Sequence, residues 1–241
     1  MTNYLLFVAL PYLSLGIFLI GSIYRYRSRE FSVSSISSEF LEGRKLFWGS
    51  QPFHWGLFFL FFGHLIAFLF PKAVLAWNGQ PVRLLILEIT AFTFGLSTFI
   101  GVILLVNRRL INRRVQIVTS KMDVVVFVVL LVQIISGLLV AYHNRWGSSW
   151  FAAFITPYLR SLFVFDPQIE GIASVNSLSL KIHVVSAFTI IGIIPFTRFM
   201  HFLVYPLDYL WRSYQQVIWS WNRKHIRTSR SHSEGRQSTN N

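Results

Sequence analysis

The chain has 241 residues, of which 54% are hydrophobic and only 13% are charged. A soluble domain with so few charged residues cannot cover its core with polar surface, so the composition predicts a membrane protein. The absence of cysteine excludes disulfides, thiolate metal sites and iron–sulfur clusters held by this chain. The net charge of +13 comes from bases confined to the segments between hydrophobic runs, which argues against nucleic-acid binding.

Five hydrophobic segments reach the length of about 20 apolar residues that crossing a membrane requires. We number them spans 1 to 5 and place them at residues 4–24, 52–71, 82–106, 123–142 and 180–204. Span 1 contains Pro11 and has neither a basic residue before it nor a small-residue cleavage site after it. We therefore interpret it as a retained span rather than a signal peptide.

Basic residues are unevenly divided between the two sides of these spans. One side carries, besides the bases from Arg198 onward, Arg25, Arg27, Arg29, Arg44, Lys45, Arg108, Arg109, Arg113, Arg114 and Lys121. The other side carries only Lys72, Arg83, Arg145, Arg160 and Lys181. The positive-inside rule then predicts a multi-pass protein of a cytoplasmic membrane, with its N-terminus outside and its C-terminus in the cytoplasm.

The connection between spans 4 and 5 is too long for a tight turn. Trp150, Phe154 and Tyr158 recur in it at helical spacing, which predicts an amphipathic helix along the outer interface. We assign residues 1–222 to the transmembrane domain and residues 223–241 to a basic, Ser-rich cytoplasmic tail. The composition of that tail cannot form a core, so we expect it to be partly disordered, with His225 and His232 solvated.

Four histidines lie in or at the ends of strongly apolar segments, His54 and His64 in span 2 and His183 and His201 in span 5. Ionisable residues at such depths are usually functional. Because the two spans run in opposite directions, His54 lies at the depth of His201 and His64 at the depth of His183. Each pair fits the axial ligation of one b-type haem, which leaves no open site on iron and suits electron transfer. The other interpretation is that these histidines are hydrogen-bonded packing residues.

The predicted fold class is therefore an all-α membrane protein. Five transmembrane helices form a bundle around two stacked b-type haems, with an interfacial helix between spans 4 and 5. Gly56, Gly63 and Gly137 are expected to let a flat macrocycle approach a helix backbone. His143 is a weaker ligand candidate because it adjoins polar Asn144 at the interface.

Helical geometry supports this pairing only in part. His183 and His201 are five whole turns apart and share one helix face, whereas His54 and His64 differ by about 80°. The axial separations also differ, at roughly 27 Å on span 5 and roughly 15 Å on span 2. We expect Pro195 to bend span 5 and absorb part of this difference.

The chain resembles the gamma subunit of membrane-bound respiratory nitrate reductase, a five-span cytochrome b. The resemblance covers most of the chain and is strongest in FHWGLFFLFFGHLIAFLFP, LLVNRRL and PFTRFMHFLVYPLDYL. It implies that His64 and His183 ligate a distal haem near the outer face. It also implies that His54 and His201 ligate a proximal haem near the cytoplasm.

The resemblance further implies a function and partners. The family oxidises quinol, either menaquinol or ubiquinol, near the outer haem, releases the protons outside and passes electrons inward. Its partners are a cytoplasmic iron–sulfur beta subunit and a molybdenum-containing alpha subunit that reduces nitrate.

Two residues near the outer end of span 3 are candidates for the quinol site. Arg83 stands where the family has a lysine implicated in quinol binding; it keeps the charge but presents a planar guanidinium, and it also fits snorkelling to the interface. Lys72 has the same two interpretations. Glu88 is the acid well inside a predicted span. It is a candidate proton acceptor for quinol, although an ion pair with Arg83 or another base is the interpretation we favour.

Three arginines at the inner end of the spans are candidates to bind haem propionates, since arginine forms bidentate bonds to carboxylates. They are Arg108, Arg109 and Arg198, and each also fits a positive-inside anchor. Two other functions stay open. The first is the same scaffold in a heterodisulfide or sulfite reductase complex or in a nitrite oxidoreductase. The second is a haem-free transporter or assembly protein.

Overall fold

Each of the five predicted spans corresponds to a helix that is long and apolar enough to cross a membrane. The computed structural model describes residues 1–28 and 44–203. In chain order its helices are α1 Thr2–Ser28, α2 Arg44–Leu69, α3 Pro71–Asn78, α4 Pro81–Ile111, α5 Arg113–Ile117, α6 Lys121–His143, α7 Gly147–Trp150, α8 Thr156–Phe163, α9 Glu170–Ser174 and α10 Leu178–Ile193. No strand occurs in these two ranges, and the predicted all-α membrane class with five spanning helices is confirmed. The predicted tail, residues 223–241, lies outside the described residues.

The spanning helices pack in a defined order. Helix α2 lies along α4, α4 contacts α6, α6 contacts α10, and α10 contacts α1. Glycines permit the closest of these approaches, because a Cβ on Gly56 would collide with Thr98 and with the carbonyl oxygen of Phe94 at 2.6 Å. Within the described part of the chain, α2 and α10 make no extensive contact with each other, although α2 carries His54 and His64 and α10 carries His183.

Residues 147–174, which include α7 to α9, form a cap over one end of the bundle. We call that end the capped end. Their buried side chains join those of α1 and α10 in one cluster that contains Phe7, Tyr158, Ile172 and Val184. The predicted helix containing Trp150 and Tyr158 is present, but Tyr158 is only 1% exposed and points into the bundle. This segment therefore fixes the ends of the spanning helices as well as connecting two of them.

Prolines account for the irregular turns at the capped end. A π-helical turn at Leu5–Ala9 precedes Pro11, and another at Phe151–Ile155 precedes Pro157. Proline has no N–H to donate to the carbonyl four residues earlier, which for Pro11 is the carbonyl of Phe7. The Tyr158 hydroxyl donates to that carbonyl at 2.8 Å, so the cap satisfies an acceptor that α1 leaves open.

Span 5 departs from the sequence prediction of one continuous helix over residues 180–204. Helix α10 ends at Ile193, a 3-10 turn follows at Ile194–Phe196, and Thr197 is extended before a second 3-10 turn at Arg198–Phe202. The bend expected near Pro195 is confirmed. The expectation that His183 and His201 share one helix face is wrong, because the two residues do not share a helix.

This break lies at the opposite end of the bundle, which we call the basic end. A side chain of α1 stabilises it there. Arg25 donates from Nη1 to the carbonyl oxygens of Pro195 at 2.6 Å and Thr197 at 2.8 Å. Gly21 allows the proline ring to pack there, since a Cβ on it would lie 2.8 Å from Pro195 Cβ. Carbonyls freed by the break are thus satisfied by a charged donor from a neighbouring helix.

Candidate functional site

His64 lies on α2 near the capped end, and its side chain is exposed on the bundle. Its Nδ1 donates to the carbonyl oxygen of Leu60 one turn earlier at 2.7 Å. The imidazole also meets the Phe151 ring edge to face, with 5.1 Å between ring centroids. The cap and the α2 backbone together fix the orientation of this ring.

His183 lies near the start of α10 and faces α6. Its Nδ1 lies 3.0 Å from the carbonyl oxygen of Gln133 and 3.3 Å from the Ser136 hydroxyl. Its Nε2 lies 3.3 Å from the amide nitrogen of Gln133, whose oxygen in turn accepts from the Ser186 hydroxyl. A ligand on this Nε2 therefore requires the Gln133 amide to turn away.

The four histidines lie toward different ends of the bundle. His64 contacts Phe151 of the cap, and His183 lies near the start of α10, at the same end. At the other level, Phe53, which adjoins His54, and Phe199, two residues before His201, pack against the same hydrophobic cluster. One histidine of span 2 and one of span 5 thus lie toward each end of the bundle, and their pairing on a haem stays a prediction.

The Nδ1 atom of each of these histidines lies at hydrogen-bond distance from a backbone carbonyl oxygen. His54 Nδ1 lies 2.8 Å from the oxygen of Ser50, and His201 Nδ1 lies 2.6 Å from the oxygen of Arg198. A carbonyl only accepts, so the neutral imidazole carries its proton on Nδ1 and its lone pair on Nε2. That is the tautomer a metal-ligating histidine uses.

Two further observations bear on ligation. His143 has the same kind of bond, at 3.0 Å to the oxygen of Leu139, so the tautomer alone does not single out a ligand. Within residues 1–28 and 44–203, no group of three or more His, Cys, Asp or Glu side chains is arranged to hold a metal ion. A haem requires only two axial ligands from the protein.

The glycines expected to face a macrocycle have different environments. Gly56 packs against α4, so the expectation is wrong for this residue. A Cβ on Gly137 would lie 2.8 Å from His183 Cε1, so this glycine makes room for the imidazole itself. A Cβ on Gly63 would meet no atom within 4 Å, and the space beside it is open.

Arg83 and Glu88 do not pair with each other. The Arg83 guanidinium lies over the Trp77 ring, 5.2 Å from its centroid. Glu88 accepts at Oε1 from the Ser148 backbone N–H at 2.9 Å and from its hydroxyl at 2.6 Å. Within the described residues no base lies at ion-pair distance from Glu88, so the favoured interpretation as an ion pair is wrong there.

Asn78 adds a further side chain to the polar group that Glu88 and Ser148 form at the capped end. It is 8% exposed and donates from Nδ2 to the hydroxyls of Ser148 and Ser149, both at 2.9 Å. Its Oδ1 has no hydrogen-bond partner in the described part of the chain. A buried acceptor without a partner is costly and calls for a donor from outside the chain, such as water. Lys72, the other basic candidate for the quinol site, is exposed.

The propionate candidates lie together at the basic end. Arg109 Nη1 lies 3.5 Å from Asp123 Oδ2, and Arg198 Nε lies 3.1 Å from Asp123 Oδ1. Arg109 also donates to Thr119 Oγ1 at 2.9 Å. Arg108 is 3% exposed, which is rare for an arginine unless its charge is compensated.

Two residues that contact the candidates were not predicted from the sequence. Gln133 contacts both ring nitrogens of His183, and a glutamine in the middle of an otherwise apolar span was the available signal. Asp123 pairs with two arginines, and Ser120 three residues before it completes a capping box. The sequence Ser-x-x-Asp before an apolar run indicated this helix start, although not the ion pairs.

Comparison with known proteins gives a consistent result. Residues 3–220 match the family model described as nitrate reductase gamma subunit. The nitrate reductase gamma chain of Bacillus subtilis is 33% identical over 217 residues, which cover 89% of this chain and 97% of the relative. The respiratory nitrate reductase 2 gamma chain of Escherichia coli is 30% identical over 86% of this chain and 92% of its own. The nitrate reductase-like protein NarX of Mycobacterium tuberculosis is 30% identical over 89% of this chain, and the match covers 33% of that protein.

Proposed function

Because the chain belongs to the nitrate reductase gamma subunit family, we propose that it is the membrane subunit of a nitrate reductase. In this role it oxidises quinol, holds two b-type haems and delivers the electrons to partner subunits. The observation that carries the proposal is the set of four histidines with Nδ1 at a backbone carbonyl, two toward each end of the bundle.

The residues fit two haems by their donor chemistry. His64 and His183 would hold the haem nearer the capped end, and His54 and His201 the one nearer the basic end. When bound, each haem supplies an iron that alternates between ferric and ferrous and so carries one electron. The Nδ1 bonds orient the imidazoles before any ligand binds, which lowers the entropic cost of ligation.

The quinol site belongs at the capped end. Quinol oxidation releases two protons with its two electrons, so the site needs a proton acceptor and groups that hold the ring oxygens. Glu88 is suited to accept a proton because, among the described residues, its carboxylate is hydrogen-bonded to Ser148 and not paired with a base. Arg83, half-buried against Trp77, is the cation available to orient the quinol head.

The partners lie at the other end. We assign the capped end to the outside and the basic end to the cytoplasm, following the positive-inside rule. An iron–sulfur beta subunit and a molybdenum-containing alpha subunit would then receive the electrons there, and nitrate would be reduced on the alpha subunit. Arg108, Arg109 and Arg198, on this side, would bind the propionates of the nearer haem.

The test is a purification of the complex from its native membrane. We expect two b-type components in the reduced spectrum, their reduction by added quinol, and co-purification of an iron–sulfur subunit and a molybdenum subunit. A protein without b-type bands contradicts the haem proposal. A haem-containing protein that co-purifies with a different catalytic subunit contradicts the assignment to nitrate reduction.

A further inference from the structure

The turn that carries His201 is separated from α10, the helix of span 5. Thr197 is extended, with φ −116° and ψ 175°, and only the five residues Arg198–Phe202 follow in a 3-10 turn. So short a 3-10 turn has few hydrogen bonds of its own and poor hydrogen-bond geometry. Its position relative to α2 must therefore come from contacts with other parts of the fold.

Arg198 makes such contacts. Its Nε lies 3.1 Å from Asp123 Oδ1, and its Nη2 donates to the carbonyl oxygen of Val118 at 2.9 Å. Its own carbonyl oxygen lies 2.6 Å from His201 Nδ1. One residue thus connects the start of α6 through its side chain to the imidazole through its backbone.

Asp123 is itself held rigidly. Its Oδ2 accepts from the Ser120 backbone N–H at 3.0 Å, and Ser120 Oγ accepts from the Asp123 N–H at 3.1 Å. Arg109 Nη1 also approaches Oδ2, at 3.5 Å, which leaves Oδ1 for Arg198. The residue is only 7% exposed, so water does not replace these partners easily.

We propose that Asp123 is a positioning residue for His201. Its ion pair with Arg198 fixes the turn Arg198–Phe202 and thereby sets where Nε2 of His201 meets its ligand. The inference rests on the proposed function for the identity of that ligand, the haem held by His54 and His201. It assigns to the acid that pairs with both Arg109 and Arg198 a role in the site rather than in surface anchoring alone.

The experiment compares Asp123→Asn with Ser120→Ala in the intact complex. Both variants disturb the capping box of α6, but only Asp123→Asn removes the ion pairs. A His201→Ala variant first identifies which of the two b-type components depends on His201. For Asp123→Asn we expect a changed midpoint potential and a roughly 10- to 100-fold weaker retention of that component, as for the loss of an outer-shell partner. The other component should be unchanged, and Asp123→Glu should restore the first in part.

Several results overturn the proposal. They are an unchanged His201-dependent component, equal changes in both components, or an equal change in Ser120→Ala. If Asp123→Asn does not assemble, Arg198→Gln, which leaves the capping box intact, is decided by the same criteria. Absence of b-type bands from the unaltered protein contradicts the proposed function instead, so the two failures are distinguishable.

Discussion

The two ends of the bundle hold a carboxylate by different partners, a half-buried one at the capped end and a buried one at the basic end. At the capped end, Glu88 accepts hydrogen bonds from Ser148, beside Asn78, whose Oδ1 has no partner in the described residues. At the basic end, Asp123 is paired with Arg109 and Arg198. Both carboxylates accept hydrogen bonds, but among the described residues only Asp123 is also in ion pairs with arginines.

This difference separates a candidate proton acceptor from a structural anion. Quinol oxidation must release protons near its site, and an acid without a paired base is suited to that step. An acid held by two arginines instead fixes the elements that carry them. The same residue type thus indicates chemistry at one end and positioning at the other, and the predictions below test that division.

Removal of single histidines should have the largest effect. His64→Ala or His183→Ala should remove the haem of the capped end and stop quinol oxidation. The loss should exceed the roughly 10- to 100-fold cost of removing an outer-shell partner, because a direct ligand is gone. Low-temperature spectra and quinol-dependent nitrate reduction measure the two effects. His143→Ala is the control, because His143 lies outside the two predicted pairs, and it should keep both components. Retention of both components in His64→Ala and His183→Ala contradicts the pairing.

Glu88→Gln should affect the reaction without affecting haem content. Glutamine keeps the oxygen that accepts from Ser148, so the cap stays in place, but it no longer takes up a proton at neutral pH. We expect quinol oxidation to slow by about 100-fold, the lower range for loss of a general base. Stopped-flow reduction by quinol and the two-component spectrum measure this.

Glu170→Gln is the matched control for Glu88, since Glu170 is an exposed acid of the cap. It should leave the rate unchanged. Equal rates for Glu88→Gln and the unaltered protein would return Glu88 to a purely structural role at the start of α7.

Gly137→Ala should distinguish the two haem sites by space alone. The added Cβ would lie 2.8 Å from His183 Cε1, so the imidazole must shift away from α6. We expect about tenfold weaker retention of the His183-dependent component and no change in the His201-dependent one. Gly16→Ala is the control, because its added Cβ meets no atom within 4 Å. Equal loss of both components in Gly137→Ala would indicate general unfolding rather than a local shift.

The sequence predicted the span number and the depth of the histidines, because both follow from apolar length and the distribution of bases. It predicted only part of the break that ends α10 and leaves Thr197 extended. Pro195 signalled a bend, but the extended Thr197 depends on Arg25 from α1, a tertiary contact. For the same reason the pairing of Asp123 with arginines from two other elements was not visible, and Glu88 was assigned the wrong partner. Patterns along one helix report its faces, not which side chains of its neighbours meet it.

The smallest effect we expect is that of Tyr158→Phe, which tests the cap without touching a candidate ligand. The substitution removes the donor to the Phe7 carbonyl, which Pro11 leaves without its usual partner, and so should lower the free energy of unfolding by about 1–2 kcal/mol. Burial, and to a lesser extent Tyr12, raises the pKa of the Tyr158 hydroxyl. As the pH rises above about 10, the unfolded chain therefore loses a proton that the folded chain keeps, and stability should fall.

Thermal unfolding in detergent at neutral and alkaline pH measures both effects of Tyr158→Phe. The phenylalanine variant should be less stable at neutral pH and should lose less of its stability at alkaline pH, because it has no hydroxyl to ionise there. Tyr142→Phe is the control, since Tyr142 is 71% exposed and should change neither. A Tyr158→Phe variant as stable as the unaltered protein at neutral pH would mean that water replaces the tyrosine at the Phe7 carbonyl. In that case the Tyr158 hydroxyl adds no net stability, and the cap holds α1 by apolar packing and by the hydrogen bond from the Tyr12 hydroxyl to the Leu162 carbonyl oxygen at 3.0 Å.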